Sequence, residues 1–465
     1  MGSSNLPTDR PSKQFRVIII GGSIAGLTLA HSLQRAGIAY TLLEKHQDFR
    51  PRLGGVLVIA PSGARIIDQL GLYESMRAAS EPITTPRTGF PDGRCSTQRW
   101  LPELERRYGY PVNVITRQKM LQVLYDGLGA GDDVCGAKEV MSICYETAGV
   151  AVRTTDGEVH RGDLVVGADG VHSIARLEML KAAGESRRSE TSGLVSEYRV
   201  LIGMSNPIPG LRAGEQIVRC HDGFAIFVFC GKDDSVGWFV VNKLDRRYQY
   251  PESPAYTRTD AVQFCEGLES VQIWEEVRFG AIFETRTSFS TALVEENVFR
   301  PWHYGRIVCI GDSINKTSPN TGLGASMAME SAAALANKLH QLISCEPQSR
   351  PSDVAVEAML NEFKESHYER CRMIGWASYA AIRLHTRDTA VKKLLGPLFM
   401  TSERTALFFQ SMVADYGAKL DFLPVPARGT AWGEMRDRFL RVRRIAIRAG
   451  VIVLLLLILQ CLRYM

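Results

Sequence analysis

The sequence predicts an α/β fold in which a Rossmann-like βαβ domain is interrupted by an antiparallel sheet and followed by helices and a hydrophobic tail. Three observations predict it. A βαβ pattern begins at Phe15, alternating apolar and polar residues occupy 186–295, and another strand, loop and long helix begin at Ile307. We therefore expect the chain to leave its first domain near residue 185 and to return to it near residue 296.

The βαβ unit contains a turn of small residues after the apolar run from Val17 to Ile20: Gly21, Gly22, Ser23 and Gly26. The dinucleotide-binding fingerprint is G-x-G-x-x-G, and in this chain Ser23 replaces its second glycine. Small residues suit this turn because a dinucleotide pyrophosphate binds backbone N–H groups at a helix N-terminus, where a Cβ would obstruct it. Glu44 ends the second strand, about 20 residues further on, where a carboxylate accepts hydrogen bonds from ribose hydroxyls. The alternative is an ordinary α/β crossover with a solvated Glu44.

The composition indicates a folded globular protein, with 45% hydrophobic and 23% charged residues among 465. The net charge of +5 is modest and partly C-terminal, so we predict no nucleic-acid surface. Ten cysteines form no C-x-x-C pair and no cluster with histidine at metal-ligand spacing, which predicts reduced thiols and no metal. The polar N-terminal extension, residues 1–14, does not resemble a secretory signal.

Several features of residues 50–185 are suited to binding a ligand. Gly54 and Gly55 permit close backbone approach before a predicted strand and helix, whereas residues 80–112 show no clear periodicity. Thr116 is a predicted N-cap, and Arg117 follows in the first helical turn. A cation there opposes the helix dipole unless it meets an anion such as a phosphate; an exposed surface arginine is the alternative.

Asp169 and Gly170 follow a buried strand that begins at Leu164. An Asp-Gly pair in this position is often only a turn. Here the strand ends at the carboxyl edge of the predicted parallel sheet, which is where doubly wound folds bind ligands.

The antiparallel segment carries large apolar residues that form either a pocket wall or the core of their own domain: Phe224, Phe227, Phe229, Trp238 and Phe239. Arg199 is a cation among strand-forming apolar residues, which marks it as a candidate functional residue or a half-exposed edge residue. The chain then returns to the first domain. A strand from Ile307 to Ile310 ends at Asp312, a carboxylate suited to a polyol hydroxyl.

A Pro/Gly loop after Asp312 leads into an Ala-rich helix that begins near Gly324 and Ala325. We expect this helix to direct its positive N-terminus at the same place as the first helix. The first glycine turn and this returning segment therefore predict one dinucleotide-binding envelope.

The C-terminus combines a basic flank with an apolar run. Six arginines lie between Arg436 and Arg448, and the stretch from Ala449 to Leu462 carries no charge. We predict a single membrane segment at about 445–462, with the body of the protein in the cytosol by the positive-inside rule. The alternative is a buried core helix.

Three segments resemble the flavin motifs of class A FAD-dependent monooxygenases, which have the para-hydroxybenzoate hydroxylase fold: GGSIAGL with the LLE that follows it, GADGVHS with Arg176 after it, and IGDSINKTSPNTGLGASMAMESA. APSGARIIDQLG, ITRQKMLQVLYD, the EYR at 197–199, LDFLP at 420–424 and the apolar tail are similar to the fungal paxilline-type monooxygenases. This similarity covers nearly the whole chain after residue 14. It implies an FAD-binding domain formed by residues 15–185 and 296–345, a substrate domain at 186–295, a helical region at 346–435, and a basic flank and membrane tail at 436–465.

The resemblance assigns roles to individual residues. It implies that Glu44 binds the adenosine ribose, Arg117 the phosphate region and Asp312 the ribitol. The remaining implied cofactor contacts are Gly21, Gly22, Ser23 and Gly26 at the first turn, Gly55 and Val58, Asp169 and Gly170 for both FAD and NADPH, and Gly324 and Ala325 at the flavin pyrimidine edge. Arg199 matches an arginine drawn as catalytic in some relatives. A tyrosine of some relatives would align near Cys220, where this chain has none.

The implied reaction is reduction of FAD by NADPH, capture of O₂ as a flavin C4a-hydroperoxide, and epoxidation of an alkene. The implied substrate is lipophilic: a farnesyl or geranylgeranyl chain on a meroterpenoid or indole-diterpene intermediate. An alkene needs no general base, whereas an aromatic hydroxylase, the main alternative, needs a group that generates phenolate. A non-catalytic prenyl-binding protein with a flavin fold is the alternative from another functional class.

Overall fold

The computed structural model describes residues 14–51, 54–129, 131, 133–147, 149–184, 195–249, 254, 256–345 and 350–434. The predicted N-terminal extension, apart from residue 14, and the predicted tail at 436–465 lie outside these ranges. Within them, no helix has both the length and the apolar character needed to cross a bilayer.

The strands, in chain order, are β1 Arg16–Ile20, β2 Ala39–Leu43, β3 Val56–Ile59, β4 Glu81–Pro82, β5 Thr85–Gly89, β6 Cys95–Thr97, β7 Asn113–Thr116, β8 Val134–Cys135, β9 Val140–Glu146, β10 Gly149–Thr154, β11 Val159–Gly162, β12 Leu164–Gly167, β13 Val195–Ser205, β14 Glu215–Cys220, β15 Phe224–Cys230, β16 Val236–Gln249, β17 Gln272–Trp274, β18 Val277–Arg278, β19 Arg286–Val298, β20 His303–Tyr304, β21 Ile307–Cys309 and β22 Asn315–Lys316.

The α-helices are α1 Ile24–Arg35, α2 Pro61–Gln69, α3 Tyr73–Ala79, α4 Leu101–Tyr108, α5 Arg117–Leu128, α6 Ile174–Ala182, α7 Arg258–Glu266, α8 Phe279–Glu284, α9 Gly324–Cys345, α10 Asp353–His385, α11 Ala390–Met400 and α12 Glu403–Asp415. Short 3₁₀ turns occupy Lys232–Asp234, Gly311–Ser313 and Pro319–Thr321.

The predicted parallel sheet is confirmed. Its six strands have the order β20-β21-β12-β1-β2-β8, and all neighbours pair in parallel except β20 with β21. β1 lies between β2 and β12, and its apolar residues are almost fully buried because helices and neighbouring strands cover both faces. Since β1, β2, β12 and β21 run in one direction, their carboxyl ends meet at one edge of the sheet.

The predicted antiparallel sheet is also confirmed, and it is larger than the sequence indicates. Its eight strands have the order β22-β19-β13-β16-β15-β14-β5-β6. β5 and β6 come from residues 80–112, the region without clear periodicity, and β5 pairs in parallel with β14. The chain therefore contributes to this sheet before it reaches the segment predicted to form it.

The C-terminal helices pack against both sheets. Within α10, Ile374 belongs to the core of the parallel-sheet domain, whereas Ile382 packs in the core under the antiparallel sheet. A buried ion pair joins α9 to α10: Arg370 donates from Nε and Nη2 to the two carboxylate oxygens of Glu330, each at 2.9 Å. The helices α9 and α10 are thus part of the body of the protein.

Candidate active site

A cavity of about 870 Å³ lies between the two large sheets. The carboxyl edge of the parallel sheet contributes Glu44 and Asp312, and the antiparallel sheet contributes Val200, Ile202 and Phe239. One side of the cavity is therefore charged and rich in backbone N–H groups, while the opposite side is apolar.

Two helices direct their N-termini at this cavity. Ile24 and Ala25 from the start of α1 line it, as do Gly324 and Ala325 from the start of α9. Helix N-termini carry partial positive charge and unpaired N–H groups, so both favour a negatively charged ligand. The expectation that the two helices converge on one site is confirmed.

The glycine turn places the first helix. Gly21 lines the cavity with φ +103°, and a Cβ on it would lie 2.6 Å from the carbonyl oxygen of Ala168. Gly26 does not line the cavity; a Cβ there would lie 1.9 Å from the carbonyl oxygen of Gly21. Its role in the structure is therefore to let α1 pack closely on the turn.

Glu44 is held at the cavity by backbone hydrogen bonds. The N–H of Gly22 donates to Oε2 at 2.7 Å, and the N–H of His46 donates to Oε1 at 3.0 Å. Gly22 is not among the lining residues, and it acts here by fixing this carboxylate. The carboxylate oxygens keep further acceptor capacity, as a ribose-binding residue requires.

Arg117 provides a cation inside the cavity. Its Nη2 donates to Ser23 Oγ at 2.9 Å, and its backbone N–H donates to the carbonyl of Gly55 at 3.0 Å. Burial lowers the pKa of Arg117, and the carboxylates of Glu44 and Asp312 oppose that shift. A phosphate group at the α1 N-terminus would give this partly desolvated cation the anion that the sequence argument anticipated.

Asp169 uses both carboxylate oxygens to start α6. Ser173 Oγ donates to Oδ1 at 2.5 Å and the N–H of Ala175 donates to Oδ2 at 3.1 Å. Burial raises the pKa of Asp169. Gly170 follows with φ +84°, and both residues line the cavity.

Arg176, the arginine that follows the GADGVHS segment, ties together two segments that border the cavity. Its guanidinium donates to the carbonyl of Ser313 at 2.8 Å and to that of Val171 at 2.6 Å, and it stacks on Phe299. Val171 is five residues away, but Ser313 is distant in sequence, so only the place of Arg176 in the segment GADGVHSIAR could have indicated the contact with Ser313.

Asp312 reaches the cavity from the end of β21 and forms an ion pair with Lys316 at 2.5 Å. This carboxylate, with Glu295 as a lesser contributor, raises the pKa of Lys316. Lys316 also lines the cavity, although it was not among the predicted site residues. Its spacing of four residues from Asp312 is the only local signal that could have suggested the pair.

The segment after Gly54 lies between the two sheets. Gly55 and Val58 both line the cavity. A Cβ on Gly55 would lie 2.5 Å from Ile202 Cγ2, so glycine is needed where this segment approaches the antiparallel sheet. Val58 packs against Gly322 in the loop before α9, where a Cβ on that glycine would lie 3.0 Å from the Val58 Cβ.

The predicted apolar wall is confirmed for two of the five residues, Phe229 and Phe239, which line the cavity. Trp238 lies opposite Gly203 of β13, so alternation places its side chain on the face of Arg199, where it packs against Phe279 and Phe283. Phe227 lies in the core and stacks on Phe239 with ring centroids 4.3 Å apart, and Phe224 stacks on a histidine, His221.

Arg199 does not line the cavity. Its neighbours Val200 and Ile202 do, and alternation along β13 places the Val200 and Ile202 side chains on one face and Arg199 on the other. There its guanidinium stacks on Tyr256 and Phe264, at 4.6 and 4.3 Å from the ring centroids. This geometry gives no support to a catalytic role that requires contact with a ligand in the cavity.

Within the described ranges, no group of three or more His, Cys, Asp or Glu side chains is arranged to hold a metal ion. The nine cysteines in those ranges have free thiols.

Comparison with known proteins agrees with this geometry. The model of a family described as "FAD binding domain" matches residues 14–350. The FAD-dependent monooxygenase paxM of Penicillium paxilli is 40% identical over 427 residues, covering 90% of this chain and 89% of paxM. The FAD-dependent monooxygenase cle3 of Aspergillus versicolor is 42% identical over 428 residues, covering 90% of this chain and 87% of cle3.

A solved structure shares the fold. The Klebsiella pneumoniae protein HpxO, crystallised with FAD and uric acid, superposes with a TM-score of 0.69 at 21% identity, covering 87% of this chain and 97% of HpxO. The family model, the two fungal relatives and this fold agree with one another. The chain therefore belongs to the FAD binding domain family and, within it, to the paxM-type FAD-dependent monooxygenases of fungi.

Proposed function

We propose that this monooxygenase uses NADPH and epoxidises an alkene of a prenyl chain on a meroterpenoid or indole-diterpene intermediate of secondary metabolism. The observation that carries the proposal is one cavity with a charged side, where two helix N-termini and Arg117 suit a phosphate, and an apolar side. The names of the relatives support the reaction type, FAD-dependent monooxygenation, and the cavity supports the finer choice of substrate.

The residues at the charged side fit FAD. Glu44 has free acceptor capacity for the ribose, Arg117 and the α1 N-terminus suit the pyrophosphate, and Asp312 suits the ribitol. Gly324 and Ala325 begin α9 and would offer backbone N–H groups to the flavin ring. When bound, FAD supplies the redox and oxygen-activating chemistry, with NADPH as the proposed reductant.

The apolar side of the cavity favours an alkene over a phenol. The side chains that the strands β13, β15, β16 and β19 direct toward the cavity are apolar: Val200, Ile202, Phe229, Phe239, Ala292 and Val294. This part of the described chain offers a hydrocarbon a dry surface and offers a phenol no base. Because an alkene reacts without prior deprotonation, these residues need only position the prenyl chain and exclude water.

The test is the position of the added oxygen. We expect the purified protein, supplied with NADPH, ¹⁸O₂ and a prenylated indole or phenol, to incorporate one ¹⁸O atom into the prenyl chain, as located by tandem mass spectrometry. Incorporation into the ring would favour the aromatic hydroxylase. FAD-loaded protein that NADPH cannot reduce, even with substrate present, would instead favour the non-catalytic prenyl-binding protein.

We also propose that residues 445–462 hold the catalytic body at the cytosolic side of a membrane. The support is the sequence alone: an uncharged run preceded by six arginines. A chain ending at residue 444 should move from the membrane fraction to the soluble fraction. An unchanged distribution in fractionated cells would contradict the anchor.

A further inference from the structure

We propose that the outer face of α11, formed by Val391, Leu394, Leu395, Leu398 and Phe399, docks on the surface of a lipid bilayer. This contact is separate from the proposed tail anchor and belongs to the folded body of the protein. It does not depend on which substrate the cavity binds.

The outer face of α11 is apolar although it is exposed. Val391 is 65% exposed, Leu394 72% and Leu398 61%. Their spacing of three and four residues places them on one side of the helix, and the buried residues of α11 are Gly396 and Pro397. A helix on a water-facing surface normally presents polar residues outward. In α11 the apolar residues point outward instead.

Local contacts hold α11 in this orientation. Thr389 caps its N-terminus by accepting a hydrogen bond from the N–H of Lys392. Lys392 pairs with Asp388 at 2.6 Å, and Lys393 pairs with Asp222 at 2.6 Å on the β14–β15 turn. The apolar face is therefore directed away from the body by fixed contacts. Lysines at the edge of an apolar face are also typical of helices that lie in a membrane interface.

Neighbouring helices add exposed aromatic side chains. Trp376 on α10 is 74% exposed, and Phe408 on α12 is 46% exposed. The five residues of the outer face of α11 already exceed the isolated apolar residues that normally occur on a soluble surface. Tryptophan is also a preferred residue at membrane–water interfaces.

The course of the chain favours a bilayer over a partner protein. The described chain ends at residue 434, next to α12, where the N–H of Gly433 donates to Asp415 Oδ1 at 3.0 Å. Residues 435–465, which follow directly, contain the arginine-rich flank and the uncharged run. A segment with membrane-like composition thus starts from the same group of helices that carries the exposed apolar face.

One of these helices, α10, also contacts elements that line the cavity. Ser378 of α10 shares a hydrogen bond of 2.7 Å with Ser318, which lines the cavity. Ile382 packs with Phe227 and Phe239 in the core beneath the antiparallel sheet. If the proposed function holds, docking brings this side of the body to the bilayer, where a prenylated substrate dissolves.

The test uses photo-crosslinking of the full-length chain reconstituted in phospholipid nanodiscs. Leu394→p-benzoylphenylalanine places the probe on the outer face of α11, at a position exposed enough to accept it without repacking. The matched control is Val354→p-benzoylphenylalanine at the start of α10, where the side chain is 78% exposed. We expect lipid adducts at position 394, detected by mass spectrometry, and none at position 354.

Three results would overturn the proposal. Adducts from position 394 to another copy of the chain would show a dimer face, and adducts to residues 435–465 of the same chain would show that the tail covers α11. Equal lipid labelling at 354 and 394 would show only that the anchored protein lies near lipid. Because none of these readouts uses substrate turnover, failure of the proposed epoxidation would leave the result intact.

Discussion

Replacing Gly26 with alanine should remove most of the FAD from the purified protein. The added Cβ would lie 1.9 Å from the carbonyl oxygen of Gly21, a distance that requires α1 to move away from the turn. Overpacking of this kind costs roughly 1–3 kcal/mol, and each 1.4 kcal/mol that falls on cofactor binding weakens it about tenfold. The displaced elements are the turn and the helix N-terminus that suit the pyrophosphate. The substitution should therefore lower the affinity for FAD. Flavin absorbance after desalting, and FAD titration of the apoprotein, measure it.

Gly131→Ala is the matched control, because no atom lies within 4 Å of the added Cβ. This variant should retain FAD as the unmodified protein does. Full flavin content in the Gly26→Ala protein would contradict the role assigned to the close contact between α1 and the turn. Circular dichroism of both variants separates loss of flavin from loss of the fold.

The charged side of the cavity could be predicted because its signals are local. Each signal marks one backbone position in the sequence. These signals are the glycines before a helix, an acid at the end of β2, and Gly311-Asp312 at the end of β21. Parallel strands then bring their carboxyl ends together, so segments that are nearly 300 residues apart converge without further information. Glu44, Arg117, Asp312 and Gly324 consequently share one cavity, as expected.

The contacts that were missed depend on how one element faces another. The sequence of β13 shows that Arg199 and Val200 point to opposite faces, but it does not show which face meets the cavity. The pairing of β5 with β14 is equally non-local, and its residues, TPRTG, carry no alternation of apolar side chains. Arg176 acts on Ser313, which only the folded chain brings near it, whereas Lys316 pairs with Asp312 four residues away and only the fold places that pair at the cavity.

The C-terminal helices depend on the buried ion pair between Glu330 and Arg370. Glu330 is fully buried and Arg370 is 7% exposed. Burial alone would raise the pKa of Glu330, but the Arg370 guanidinium outweighs it and holds this pKa below its ordinary value. Arg370 also donates to the carbonyl of Val413 on α12 at 2.8 Å. Three helices therefore meet at one guanidinium, and one of them, α9, begins at the cofactor cavity.

Glu330→Gln should consequently destabilise the protein strongly. The substitution keeps the shape of the side chain but leaves Arg370 as a buried charge without its carboxylate, which typically costs about 3–5 kcal/mol of the free energy of unfolding. Glu369→Gln is the matched control on α10, because its partner Arg372 and Glu369 itself are 58% and 73% exposed. Exposed pairs contribute about 0–1 kcal/mol, so this variant should unfold in urea almost as the unmodified protein does. Tryptophan fluorescence during urea unfolding measures the midpoint of each variant. Equal midpoints for the two variants would show that the buried pair does not hold the helices to the flavin domain.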